Sequence, residues 1–170
     1  DGHTLNLILT ILKNEGFNAK SLKSIDKSFY FNESDKDYIF RVNNNDQFDI
    51  KKGISLLNGI SKYDNAQAAI VSNGYILGIE ATEGTDLLLK RVALEKKKLE
   101  LNHREGILIK ISKIKQSIYT DNPVIGPKTI INAAKAKLNG IAIKKNNTII
   151  VDKSKVLQAL NENKLNLYFI

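Results

Sequence analysis

Asn73-Gly74, set between two short apolar runs, constrains this chain more than any other feature. Gln67 to Ser72 and Tyr75 to Ile79 are each about a strand in length. An Asn-Gly pair tolerates the left-handed backbone that a two-residue hairpin turn demands. Directly after the second run comes Glu80-Ala81-Thr82-Glu83-Gly84-Thr85-Asp86, and then Leu87-Leu88-Leu89-Lys90-Arg91-Val92, the opening of a charged helix. Three carboxylates, two threonines and a glycine therefore sit where a strand gives way to a helix. A helix N-terminus presents unpaired N–H groups and the positive end of its dipole, which suits a bound anion. The same residues also suit a plain capping loop, with Gly84 or Thr85 starting the helix and acids in its first turn.

The flanking sequence extends the alternation. Leu5, Ile8, Leu9 and Leu12 mark one face of a helix ending before Gly16, and Phe17 to Ile25 reads as a strand. Asp26 to Asp49 is polar and reads as an exposed connector, interrupted by Tyr38-Ile39-Phe40 and holding the expected domain boundary. Ile50, Ile54 and Leu57 give a second helix that closes near Gly59. The helix after the acidic loop is expected to run to about Asn102, with Leu88, Val92 and Leu99 inward. Lys96-Lys97-Lys98 is expected on its outer face, as solvated charge or as a contact for lipid headgroups. Gly106 to Ile111 is a buried strand, and the loop Ser112 to Ile125 carries Asp121-Asn122-Pro123. Gly126-Pro127 opens a helix with Ile130, Ala134 and Leu138 inward, stopped by Asn139-Gly140. A second hairpin is expected from Ile141–Ile143, an Asn146-Asn147 turn and Ile149–Val151. A helix through Val156, Leu157 and Leu160 then leads to a terminal strand, Leu165 to Ile170. Strands alternating with helices make the class α/β, with a mixed sheet.

Composition narrows the chemistry. With no cysteine there is no disulfide framework, thiolate nucleophile or cysteine-ligated zinc. With no methionine, an initiator included, the chain is expected to be processed or partial. No apolar run approaches the roughly 18 residues of a membrane span, and no stretch reads as a signal peptide. The net charge of +8 comes from 23 lysines and only three arginines, Arg41, Arg91 and Arg104. Lysine is a point charge, whereas arginine is the fork that reads guanine edges, so this balance speaks against specific nucleic-acid recognition. It suits a polyanionic substrate or an anionic membrane surface better. His3 and His103 have no serine or cysteine motif beside them, and no Walker, HExxH or EF-hand pattern occurs. What remains is carboxylates and lysines at strand ends: Glu80, Glu83 and Asp86 in one loop, Asp121 in another, Lys110 and Lys113 between. In an α/β sheet such loops meet on one edge. Carboxylates beside lysines suit Mg²⁺ shared with phosphate, although ordinary surface charge has the same composition.

The order of Asp64-Asn65-Ala66-Gln67, the hairpin, Glu80 to Asp86, Gly106-Ile107-Leu108-Ile109-Lys110 and Asp121-Asn122-Pro123-Val124-Ile125-Gly126-Pro127 resembles the UDP-2,3-diacylglucosamine pyrophosphatases of the LpxI type. The likeness covers about Ile50 to Ile170, the family's C-terminal domain. It implies residues 46–170 as a catalytic-type domain of a two-domain enzyme, and residues 1–45 as a remnant of a Rossmann-like N-terminal domain plus linker. It also implies Mg²⁺-dependent hydrolysis of UDP-2,3-diacylglucosamine to UMP and 2,3-diacylglucosamine 1-phosphate, a step of lipid A synthesis. By the same likeness Asp121 matches the essential aspartate, as metal ligand or proton acceptor. A carboxylate with a pKa of about 4 is a feeble base at neutral pH, so metal-assisted water activation is the more economical role. Glu80, Glu83, Thr85 and Asp86 match the family loop, for metal or phosphate contact. Gln67, Lys110, Lys113 and Gln116 match positions expected to meet phosphate or sugar. Ile114, Ser117 and Tyr119 depart from the family pattern by replacing a proline, an acid and an arginine. The implied partners are the lipid substrate or its product, the anionic inner-membrane surface, a second copy or a separate N-terminal chain, with a cytoplasmic or peripheral inner-membrane location. The competing expectation is a non-catalytic lipid-phosphate-binding or interaction domain.

Overall fold

The computed structural model describes residues 2–63, 66–113 and 122–170. Three layers result, with one mixed sheet between helices. The sheet is built from β1 (Ala68–Ser72), β2 (Tyr75–Ile79), β3 (Ile107–Lys110), β5 (Gly140–Ile143) and β7 (Asn166–Phe169), in the order β2-β1-β3-β5-β7. β1 is antiparallel to β2 and β3, while β3, β5 and β7 run parallel. The Asn73-Gly74 hairpin forms as expected, with both residues in the left-handed region. Asp49 fixes that turn by accepting the Asn73 and Gly74 N–H groups at 2.9 and 2.7 Å.

Strand alternation assigns the two faces. Ala68, Ile70, Leu108, Ile141, Ile143 and Leu167 point to α4 (Thr85–Lys98), α5 (Pro127–Lys135) and α6 (Lys153–Asn163) and form the larger core. Ala69, Val71, Ile107, Ile109, Ala142 and Tyr168 point to α3 (Asp46–Ile60), which brings Ile50 and Leu57. Gly53 lets α3 lie close, because a Cβ there would stand 2.5 Å from the Ile109 Cδ1. The sequence expectation of an α/β class with a mixed sheet agrees with this architecture.

Several local expectations are corrected. Phe17 to Ile25 is not a strand: residues 22–25 form a short helix, α2, after α1 (Gly2–Asn14). Ser21 caps α2 by accepting the Ser24 N–H at 3.2 Å, a bond that a strand could not keep. The connector from Asp26 to Asp49 is not uniformly exposed. Tyr30 and Phe31 are buried, as are Asp46 and Asp49, which already belong to α3. Phe31 stacks at a tilt on Tyr38 and Phe169, and the Asn166 side chain binds the backbone of Phe40 and Arg41. The segment is thereby held along the outer edge of β7.

The second hairpin does not form. β5 is buried along its length and needs neighbours on both sides, which parallel β3 and β7 supply. Ile149–Ile150 (β6) pairs instead, in parallel, with Val124–Ile125 (β4) in a separate ribbon. α4 stops at Lys98, short of Asn102, and its end reverses two assignments. Lys96 is inside, 3% exposed, donating to the carbonyls of Glu105 and Lys137 at 3.1 and 3.0 Å. Leu99, past the helix end, is 69% exposed. Two carbonyls from turns flanking β3 and β5 draw the ammonium inward, and burial pushes its pKa down. In α5 the inward alanine is Ala133 rather than Ala134.

Candidate functional site

Sheet register sets the site. Ala68 pairs with Lys110, Ala69 with Ile79, Lys110 with Ile143, and Ile143 with Phe169. The C-terminal ends of the three parallel strands therefore share an edge with Gln67 and Glu80. This is the edge at which ligands bind open α/β sheets.

Glu80 organises the edge. Its Oε2 accepts the Gln67 backbone N–H at 3.1 Å, and its Oε1 accepts the Thr85 hydroxyl at 2.6 Å. Lys110, the last residue of β3, donates from Nζ to the same Thr85 Oγ1 at 2.6 Å. Thr85 and Lys110 are both buried, each 8% exposed. A hydroxyl that accepts from an ammonium and donates to a carboxylate has its rotor fixed by charge on either side. The lysine is thus held at a set height beneath the first turn of α4.

The remaining loop acids are paired toward the sides. Glu83 Oε1 accepts from Arg91 Nη2 at 2.8 Å and its Oε2 from the Ala81 N–H at 3.1 Å. The Arg91 bond holds its carboxyl below the usual range. Asp86 accepts from Asn132 Nδ2 at 3.2 Å and meets Lys128 Nζ at 3.0 Å, tying α4 to the start of α5. Gly84, the N-cap of α4, has φ +77°, and a Cβ built on it would meet nothing within 4 Å. Glycine is required there by the backbone, and the space above it is open. Among the described residues no side chain caps α4 or α5, so the first-turn N–H groups of α4 remain for an anion, joined in α5 by that of Lys128, since Pro127 has no N–H and the Thr129 N–H bonds to the Gly126 carbonyl at 3.0 Å.

These parts enclose one small cleft of about 290 Å³, lined by Glu83, Gly84, Thr85, Asp86, Lys110, Val124 and Thr129. Two helix N-termini and one lysine face two carboxylates, each already neutralised by its own basic partner. The balance favours an anion such as a phosphate. For a cation the fit is incomplete, since no three His, Cys, Asp or Glu residues gather to hold a metal ion among the described residues.

Of the residues singled out in the sequence, Gln67, Glu80, Glu83, Thr85, Asp86 and Lys110 come together on this edge. Half-buried Lys113 follows β3 there. Gln116 and Asp121 lie outside the described residues, as do Asp64 and Asn65. Thr129, Lys128, Asn132 and Arg91 were not singled out. Thr129 was within reach, because Gly126-Pro127 marks a helix start and Thr129 stands in its first turn. The partners of Asp86 and Glu83 depend on how the helices pack, which no local pattern encodes.

Residues 39–168 match the family model described as the LpxI C-terminal domain. Over 116 residues the chain is 37% identical to the UDP-2,3-diacylglucosamine pyrophosphatase LpxI of Caulobacter vibrioides, covering 67% of this chain and 41% of that protein. The chain therefore spans less than half the length of the curated relative that it matches.

Proposed function

Since the chain belongs to the LpxI C-terminal domain family, we propose that its cleft handles the diphosphate of UDP-2,3-diacylglucosamine and hydrolyses it to UMP and 2,3-diacylglucosamine 1-phosphate, within lipid A synthesis. The observation that carries this reading is Lys110, fixed by Thr85 and Glu80 between the N-termini of α4 and α5. Water oxygen bonds to the α-phosphorus, the bridging P–O bond breaks, and the sugar-linked phosphate leaves. Charge builds on the phosphoryl oxygens as this happens. Lys110, the first-turn amides of α4 and the Lys128 amide would oppose it. Gln67, Lys113 and Gln116 are proposed phosphate or sugar contacts.

Asp121 is proposed to orient the attacking water. Mg²⁺ is a proposed cofactor whose site would need Asp121 beside Glu80, Glu83 or Asp86, because the described carboxylates alone do not form one. When bound it would neutralise the diphosphate. No helix among the described residues is long and apolar enough to cross a membrane. A substrate joining a nucleotide to two acyl chains suits a cytoplasmic protein working at the inner-membrane surface, and that location is part of the proposal.

The test is UMP release from UDP-2,3-diacylglucosamine, with and without Mg²⁺, by the wild-type chain and by Asp121→Ala. Release by the wild type that Asp121→Ala abolishes is the expected result. Two folded, equally inert proteins would remove catalysis by this chain. A second reading, lipid-phosphate binding without turnover, is favoured by the pairing of Glu83 with Arg91 and of Asp86 with Lys128. Saturable binding of the lipid product by a chain that releases no UMP would select it.

A further inference from the structure

Beyond the cleft, α4 and α5 leave a groove between them of about 600 Å³, floored by Ala93, Leu101 and Ala136. Lys90, Lys97 and Lys135 stand on its rim, all exposed, and none has a hydrogen-bond or ion-pair partner among the described residues. Lys96 and Lys137 also line it but are committed elsewhere, Lys96 to two carbonyls and Lys137 to the Asn102 side chain at 2.9 Å. Among the described residues no carboxylate lines the groove. Leu94 is 62% exposed at its mouth, and Leu87 and Ile131 are exposed on the same two helices.

We propose that this groove is the face with which the protein docks on an anionic phospholipid bilayer. Three ammonium groups, unpaired among the described residues, stand around an apolar floor and complement a surface whose phosphates lie above acyl chains. A soluble polyanion could use the ammonium groups but has no use for Leu94 and the apolar floor beside it. The helical spacing brings this about: positions 90, 93, 94 and 97 fall on one stripe of α4, and Leu101 joins them from just past the helix end. The same two helices begin at the cleft, where Asn132 meets Asp86. Docking through the groove would therefore bring the phosphate-binding edge alongside the lipid surface. The groove's role does not depend on hydrolysis at the cleft, and vesicle binding without UMP release leaves it intact.

The experiment is co-sedimentation with vesicles of phosphatidylcholine alone and of phosphatidylcholine mixed with phosphatidylglycerol. One variant combines Lys90→Glu, Lys97→Glu and Lys135→Glu. A second, of equal net charge, combines Lys20→Glu, Lys36→Glu and Lys51→Glu, all exposed and away from the groove. The wild type is expected to bind only the anionic vesicles. The groove variant should lose roughly a hundredfold or more in partitioning, the control variant far less. Because the chain has no tryptophan, Leu94→Trp supplies a single reporter whose emission should shift to the blue on the anionic vesicles alone. Equal losses in the two variants would mean that net charge alone attracts the protein, and would overturn the proposal. So would an unshifted emission, or wild-type binding by the groove variant. A dimer in solution that the groove variant dissolves would assign the face to a second copy and overturn it too.

Discussion

Thr85→Val removes one hydroxyl and nothing else of consequence, because valine has nearly the same shape. Two bonds of 2.6 Å disappear together, one from Lys110 Nζ and one to Glu80 Oε1. A hydrogen bond to a charged partner contributes about 1.5–3 kcal/mol. Losing both sets a ceiling of roughly 6 kcal/mol. Lys110 and Glu80 are of opposite charge and border an open cleft, so they can re-pair directly or take up water. The expected net loss of stability is therefore about 1–3 kcal/mol. The functional loss follows from Lys110 no longer being held at a fixed height. Misplacing a phosphate-binding group by about an ångström costs up to roughly a hundredfold in rate. Urea denaturation followed by circular dichroism measures the first, and kcat/KM for UMP release, or affinity for the lipid phosphate product, measures the second. Thr85→Ser keeps the hydroxyl and should restore most of both. A valine variant with wild-type stability and wild-type phosphate affinity would refute the reasoning, and so would a serine variant as impaired as the valine one.

Two further outcomes bear on the frame. Gly53→Ala forces a Cβ to within 2.5 Å of Ile109 Cδ1 and 2.7 Å of its Cγ1. Overpacking of about 1–3 kcal/mol, only partly offset by alanine's helix preference of about 1 kcal/mol, should lower the urea midpoint; an unchanged or raised midpoint would mean that α3 does not lie this close. Asp46 is buried under Tyr168, whose hydroxyl donates to its Oδ2 at 2.5 Å. Burial raises its pKa above 3.8 despite the bonds from Tyr168 and Asn139 that lower it. A carboxyl with a raised folded pKa contributes stability below 3.8 and loses it as pH climbs through the folded value. Asp46→Asn cannot ionise, so it should gain on the wild type as pH rises from acid toward neutral; a gap that stays constant with pH would contradict the assignment.

Much of the frame could be read in advance because it was written locally. Asn73-Gly74 fixed a hairpin, Gly126-Pro127 a helix start, and the run Ile107 to Ile109 a buried strand. What escaped was decided at a distance. Ile149 and Ile150 have the composition of a hairpin arm, yet parallel neighbours claim both sides of β5, so that arm pairs with Val124 and Ile125. Lys96 sits in a lysine run that reads as solvated, but carbonyls at positions 105 and 137 make an interior seat for its ammonium. Phe17 to Ile25 reads as a strand, and a serine cap turned part of it into helix. The acidic loop shows the same division. Its place before a helix was visible in the spacing, whereas the division of its acids, Glu80 to Thr85 and the Gln67 N–H, Glu83 to Arg91 and Asp86 to Lys128, depends on how other elements pack.

The central claim is that a phosphate sits in the cleft between the N-termini of α4 and α5, above Lys110. Titrating isotopically labelled protein with 2,3-diacylglucosamine 1-phosphate, and following backbone amide shifts by NMR, tests it directly. The account predicts saturable shifts concentrated at Gly84, Thr85, Asp86, Lys110 and Thr129, and their loss in Lys110→Met. Shifts gathered instead on α3, with those five amides unmoved, would contradict it.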